Sequence, residues 1–371
     1  MPDSDRAATR PLWVESADAE SGLNTTSTLI PVPVDAGPIV SRALEEAAGR
    51  PTTSDRGRAD GPRVRQVSRP LTALAGRTML GVTSRLPLRG LHALARRVGD
   101  LGSVLPLRES RATRVNVALC FPELTETERR RFERESLEEA ACMVAELGHL
   151  WLRPIDEILD RVVEVRGEEH LREAIARGRG VVVAGPHLGA WELLGLWMAV
   201  RYSITSLYRK PRVRQLEGIY WEARSRSGAR LLPADASGIR ASCQALRRGE
   251  VVGILPDQDP GLGWGEFAPF FGVPANTSTL VPRLASRFGS AVLLAFAERL
   301  PRGEGYRIHV RPGSAEIACG NFLAGARALN RDVESLVRLA PRQYLWSYKR
   351  FRTRPPGSPS FYRGPAESGR D

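Results

Sequence analysis

No stretch of this chain reaches the ~18 uncharged apolar residues that a membrane-spanning helix needs, so any contact with a bilayer is expected to be peripheral. Cysteine is scarce. Cys120, Cys142, Cys243 and Cys319 form no CxxC pair and have no histidine at metal-ligand spacing, which argues against a disulfide framework or a zinc site. A reducing compartment is the simplest reading, and no metal or cofactor is expected. The first residues, MPDSDRAATRPLWVESADAE, carry acids and no apolar core of signal-peptide type, so nothing in them predicts export. Aromatic residues make up only 6% of the sequence, and nowhere do they interleave with basic ones as a single-strand nucleic-acid platform requires. Internal repeats and heptad runs are absent too, which excludes solenoids and long coiled coils.

What is present is apolar material and positive charge. With 42% hydrophobic and 26% charged residues, the 371-residue chain can build a sizeable core. Its 54 Lys plus Arg against 42 Asp plus Glu leave a net charge of +12, which favours a polyanionic partner. With nucleic acid set aside, an anionic membrane surface or a phosphorylated lipid comes first.

The chain divides by composition. Residues 1–65, rich in Ser, Thr, Pro, Ala, Asp and Arg without sustained periodicity, read as a flexible tail, and 363–371 read as a second. Across 66–110, Leu71, Leu74, Met79, Val82, Leu86, Leu88, Leu91, Leu94 and Val98 alternate with Arg77, Arg85, Arg89, Arg96 and Arg97, a basic amphipathic pattern that Pro87 divides into two helices. Two readings stand: helices lying in a lipid headgroup layer, or a surface pair packed on the domain. In residues 111–362, Thr125 is the expected N-cap of a long helix with Phe132, Leu137, Ala140, Met143 and Leu147 inward. After it, VVEVRG, GVVVAG, ITSLYR, GARLLP, VVGILP, AVLLAFAERL and YRIHVRP alternate largely with helical segments. That order predicts an α/β fold, a mostly parallel or mixed central sheet flanked by helices, with functional loops at the carboxyl ends of strands.

The stretch GVVVAGPHLGAWELLGLWMA holds the strongest chemical signal, because His187 follows a strand and a Gly-Pro turn at the mouth of the next helix. His187 and Glu192 are five residues apart, about 140° around an ideal helix, so they share no helical face and His187 belongs to the turn. From there the Glu192 carboxylate is expected to reach one imidazole nitrogen and leave the other to take a proton from a hydroxyl. His92, His149, His170 and His309 lie within helical or strand patterns and read as structural.

HLGAWE resembles the histidine, four residues, acid motif of glycerolipid-type acyltransferases, in the version found in lipid A late acyltransferases. VNVALCFPELTETERRR, SLYRKPR, GILPDQDPG, FAPFFGVPANTSTLVPRLA, AERLPRGEGYRI and QYLWSYKRFRTRPPG resemble that family's blocks in the same order, over roughly Val82 to Tyr362. Ala190 stands where many members have Asn, and Tyr348 where a His often precedes the final basic pair. The resemblance implies a glycerolipid acyltransferase-like fold with amino-terminal membrane-associated helices. It implies transfer of an acyl chain from acyl carrier protein to a hydroxyl of a Kdo-bearing lipid A precursor, at the cytoplasmic face of the inner membrane. His187 and Glu192 would be catalytic. Arg209, beside Lys210, would hold a phosphate or the oxyanion, and Asp257 would tether Arg209; a cation site at Asp257 and Asp259 is the less favoured reading. Phe270 and Phe271 read either as an acyl-chain channel or as core. Lys349, Arg350, Arg352 and Arg354 read as a basic cluster for lipid phosphate or acyl carrier protein, or as a solvated face. Other lipid acceptors, with acyl-CoA as donor, keep the same chemistry. A non-catalytic basic binder has only the net charge in its favour.

Overall fold

The apolar runs expected as strands pair into one sheet in the computed structural model, which describes residues 69–208 and 217–362. The two expected tails, and Arg209 and Lys210, lie outside those residues. The strands are β1 (Val162–Arg166), β2 (Val181–Ala184), β3 (Ile204–Tyr208), β4 (Arg230–Pro233), β5 (Val251–Ile254), β8 (Ala291–Arg299) and β9 (Tyr306–Pro312), in the spatial order β1-β9-β8-β2-β5-β3-β4. Strands β8, β2, β5, β3 and β4 run parallel, whereas β9 is antiparallel to β8 and carries β1 with it. The sheet is therefore mixed, and five strands end on one edge.

Both faces of the sheet are covered, which is why its central strands are unbroken apolar runs. Val181 and Val183 of β2 join Leu193, Trp197 and Ile308 on one side, while Val182 and Ala184 join Val252, Phe296, Leu329 and Leu336 on the other. Each Val, Leu, Ile or Phe among them contributes ~1.5–3 kcal/mol by leaving water. A second sheet was not anticipated from the sequence. It is an antiparallel hairpin of β6 (Gly265–Phe270) and β7 (Val273–Ser278), turned by Phe271 and Gly272, both at positive φ.

The helical layer opens with α1 (Arg69–Arg85) and α2 (Leu88–Val104), broken at Pro87 as the sequence predicts. Then come α3 (Arg108–Cys120) and the 27-residue α4 (Glu126–Leu152). Thr125 caps α4 with a full capping box, donating its N–H to Glu128 Oε2 at 2.9 Å while its hydroxyl accepts from the Glu128 N–H. The inward face of α4 departs from expectation. Phe132 is buried as expected, but it is followed by Ser136, Glu139, Cys142 and Glu146, with Gly148, His149 and Leu150 at the end, whereas Leu137, Ala140, Met143 and Leu147 are only half-buried. Two carboxylates can sit inside because Arg299, at the end of β8, meets them: Nε and Nη2 donate to Glu146 at 2.6 and 2.8 Å, and Nη1 to Glu139 at 2.8 Å. His92 of α2 adds a contact to Glu146 at 2.5 Å. Burial pushes the Glu146 carboxyl up, but Arg299 and His92 bring it down to about 2.

After α5 (Ile155–Leu159), the helices between strands are α6 (Glu168–Ala176), α7 (Trp191–Arg201), α8 (Glu217–Ser225), α9 (Ala236–Arg247) and α10 (Leu280–Phe288). Helix α11 (Phe322–Val337) packs on the β6–β7 hairpin, where Glu334 accepts from the Phe271 N–H at 2.7 Å and Asn330 donates to the carbonyls of Ala268 and Pro269. Among the described residues, no helix is long and apolar enough to cross a membrane.

Candidate active site

His187 sits three residues beyond the end of β2, and Asp257 three residues beyond the end of β5. Those strands are parallel neighbours in register, Ala184 opposite Ile254, so equal extensions bring the two side chains together. Asp257 Oδ2 accepts the His187 backbone N–H at 2.9 Å, and Oδ1 lies 2.8 Å from His187 Nδ1. Burial pushes the Asp257 carboxyl up, but the facing imidazole, its two hydrogen bonds and Arg350 bring it below the usual carboxylate range. An ionised carboxylate only accepts, so Nδ1 carries the proton and Nε2 the lone pair. Nε2 in turn lies 3.1 Å from Nε2 of Gln258, whose amide donates to it.

The expectation that Glu192 grips the imidazole is corrected. Glu192 is the second residue of α7, and its carboxylate turns toward α4 and α8, accepting from Trp151 Nε1 at 3.3 Å and from Arg224 Nε at 2.9 Å, with Arg224 Nη2 on its other oxygen. The acid beside the histidine comes from a neighbouring strand instead of the adjoining helix. Asp257 meets His187 through both oxygens, and the expected tether to Arg209 falls on a residue outside the described ones.

An acid neighbour does not by itself distinguish His187. His92 meets Glu146, and His309 meets Glu298 at 2.8 Å while stacking on Phe296 at 4.6 Å. Both are buried within the fold. His187 keeps partial exposure, 14% of its side chain, at the sheet edge where five strands end, with the Trp191 ring 5.1 Å away.

The turn is held from both sides. Ala190 N–H donates to Ala297 O of β8 at 2.8 Å, Gly189 N–H to Gln343 O at 3.1 Å, and Leu345 N–H to His187 O at 3.0 Å. Gly189 is required there: its φ is +61°, and an added Cβ would stand 2.0 Å from Ala297 O. The chain at 343–353 also reaches the second loop. Tyr344 is buried, and that burial together with the nearby Asp257 charge holds its phenol well above the usual range. Tyr348 Oη accepts from Asp259 N–H at 3.0 Å, and Thr353 N–H donates to Asp259 Oδ2 at 2.8 Å. Asp259 is thus a loop anchor, consistent with turn chemistry in PDQDPG. Among the described residues no group of three or more His, Cys, Asp or Glu is placed to hold a metal ion.

Two further expectations resolve. Phe270 and Phe271 lie within an aromatic core, 5.0 Å apart and packed against Phe121, Tyr344, Trp346 and Phe351, so the structure carries the core reading. The basic cluster is not one surface. Arg350 is buried and braces β7, donating to Asn276 O and Thr277 Oγ1 at 2.7 and 2.8 Å, which corrects its reading as a ligand-facing residue. Lys349 lies over the Tyr362 ring, Arg354 over Phe361, and only Arg352 is exposed.

The model for bacterial lipid A biosynthesis acyltransferases matches residues 62–353, a span that takes in the whole sheet and both site loops. The chain is also 31% identical to the lipid A biosynthesis lauroyltransferase of Escherichia coli K12 over 285 residues, 76% of this chain and 92% of that protein. With the palmitoleoyltransferase of the same organism identity is 31% over 288 residues, 77% and 93%. With its myristoyltransferase it is 29% over 288 residues, 77% and 87%. The class to which fold, site and likeness lead is that of the acyltransferases. Within it, the chain belongs to the bacterial lipid A biosynthesis acyltransferase family.

Proposed function

We propose that this enzyme moves a fatty acyl chain from an acyl carrier protein thioester to a hydroxyl of a Kdo-bearing lipid A precursor, with His187 as general base. The observation that carries the mechanism is the buried Asp257 carboxylate at 2.8 Å from His187 Nδ1, which directs the free lone pair of Nε2 outward. The acceptor hydroxyl takes the place of the Gln258 amide and gives its proton to Nε2. Its oxygen attacks the thioester carbonyl carbon, the C–S bond breaks, and the imidazolium returns the proton to the departing thiolate. General-base action of this kind is worth ~10²–10⁴ in rate. Asp257 balances the imidazolium, the part first expected of Glu192. Glu192 instead fixes Arg224 in the wall beside the turn. Helix α7 starts without a side-chain cap, and its first amides are available to a developing oxyanion.

The same reading puts the enzyme at the cytoplasmic face of the inner membrane, held through α2. Leu88, Leu91 and Ala95 of that helix are buried, while Leu94, Val98 and Leu101, followed by Leu105, are exposed at spacings of 4, 3 and 4 with Arg89 and Arg97 beside them. The test is acyl transfer by the purified protein from labelled acyl carrier protein and acyl-CoA thioesters to a panel of lipids. Transfer to the lipid A precursor from the carrier protein is expected. Acylation of glycerophospholipids alone would overturn the acceptor.

A further inference from the structure

The loop that follows Gln258 ends in an exposed apolar tip. Leu262 is 76% exposed and Trp264 47%, although the residues at the base of the loop are among the best buried in the molecule. Asp259, fully buried, accepts at Oδ1 from Gly261 N–H (2.8 Å) and from Asn276 Nδ2 (3.0 Å), and Asn276 also donates to Gly261 O at 2.7 Å. Gly261 and Gly263 have φ of +99° and +80°, so the chain doubles back on each side of Leu262 and turns it outward. A scattered surface leucine needs no explanation, but a Leu-Gly-Trp tip on a braced base, four to six residues from the amide that touches His187, is a built wedge.

We propose that the loop from Pro260 to Trp264 is a second point of membrane insertion, its tip entering the acyl-chain layer of an anionic bilayer. The inference rests on the reading that the acceptor is a bilayer lipid contacted through α2. Three observations choose a bilayer as the occupant. Trp and Leu at a tip suit the boundary between headgroups and chains, whereas an acidic carrier protein would be met by cations. Arg352 stands at the base of the loop, its Nε 3.8 Å from Asp259 Oδ2 and its side chain 56% exposed, a cation that a lipid phosphate could meet. The loop also leaves the carboxyl end of β5, on the same sheet edge as the carboxyl end of β8, and the turn that follows β8 packs on the start of α2, where an added Cβ at Gly303 would stand 2.8 Å from Arg89. Two apolar contacts on that edge bring His187 to the lipid surface and let an acceptor chain reach it without leaving the bilayer.

The test compares wild type with Leu262→Ser/Trp264→Ser, after thermal melts establish equal stability. Sedimentation with vesicles containing phosphatidylglycerol should show binding about thirty-fold weaker, ~2 kcal/mol at ~1.4 kcal/mol per factor of ten. Turnover of a vesicle-borne acceptor should fall in parallel, while the KM for the acyl donor stays within about twofold. Unchanged vesicle binding would overturn the proposal, and unchanged binding with a raised donor KM would give the loop to the donor protein. Sedimentation reads the loop even if no lipid A precursor is acylated, so failure of the acceptor assignment and failure of the loop are told apart.

Discussion

Replacing Asp257 by Asn exchanges one carboxylate oxygen for a group that donates. In the native site both oxygens accept, one from the His187 backbone N–H at 2.9 Å and one facing Nδ1 at 2.8 Å. An asparagine can satisfy only one of these as they stand. If its oxygen keeps the backbone N–H, its amide faces Nδ1, and the imidazole must present a lone pair there and carry its proton on Nε2. That tautomer cannot take a proton from the acceptor. The same exchange behind the histidine of a serine-protease triad costs about 10⁴ in turnover, so a loss of ~10³–10⁴, or ~4–5.5 kcal/mol in barrier, is expected here. The fold should lose only ~1–3 kcal/mol, the cost of one poorly met buried polar group. The assay is steady-state kcat and KM for donor and lipid acceptor, with thermal melts by circular dichroism, run beside Glu192→Gln. Activity of Asp257→Asn within about tenfold of wild type, with Glu192→Gln the more damaging, would refute the pairing of His187 with Asp257 as the working one.

Glu192→Gln itself should lower turnover less than Asp257→Asn and cost ~1.5–3 kcal/mol of stability through the lost charge on Arg224, read from urea midpoints. Gly189→Ala should abolish most activity, because it forces an L side chain into φ +61° against Ala297 O and shifts the His187 turn; ~1–2 kcal/mol of destabilisation from the backbone alone is expected in a thermal melt. Glu146→Gln leaves the buried Arg299 with Glu139 alone and should cost ~3–5 kcal/mol at pH 7 in chemical denaturation. Its pH dependence has a definite sign. The folded carboxyl lies at about 2 against 4.5, so its ~3 kcal/mol is present above pH 4.5 and is lost as pH falls toward 2, where variant and wild type should converge.

Strands with both faces buried were legible because each is an uninterrupted apolar run between turn signals, and β2 and β5 are the clearest. Thr125 and Pro87 were legible for a local reason: capping and helix breaking act within a few residues. The hairpin of β6 and β7 was missed, since GEFAPF and VPANTS each contain a proline and show little alternation. The inward face of α4 was misjudged because burial of Glu139 and Glu146 depends on Arg299, more than 150 residues away. The partner of His187 was sought along the helix, where Glu192 is close in sequence, whereas the actual neighbour depends on which strands lie side by side. A signal was nevertheless present. VVVAGPH and VVGILPD carry a proline at the same distance beyond each strand, immediately before His187 and Asp257. The burial of Arg350 had no such mark, since a basic run reads as solvated until its contacts are known.

The equal three-residue extensions past β2 and β5 work as a matched pair of arms. At ~3.3 Å of reach per residue, one insertion or deletion in either arm moves a reacting group by more than the whole length of a hydrogen bond. Compensating changes in both arms would raise or lower the pair together without parting it. The depth of the chemistry below the rim is therefore adjustable by paired indels, while its internal geometry is not. A library that lengthens both arms in step would tune how far a lipid must rise to react, and one that lengthens a single arm would yield folded, inert protein.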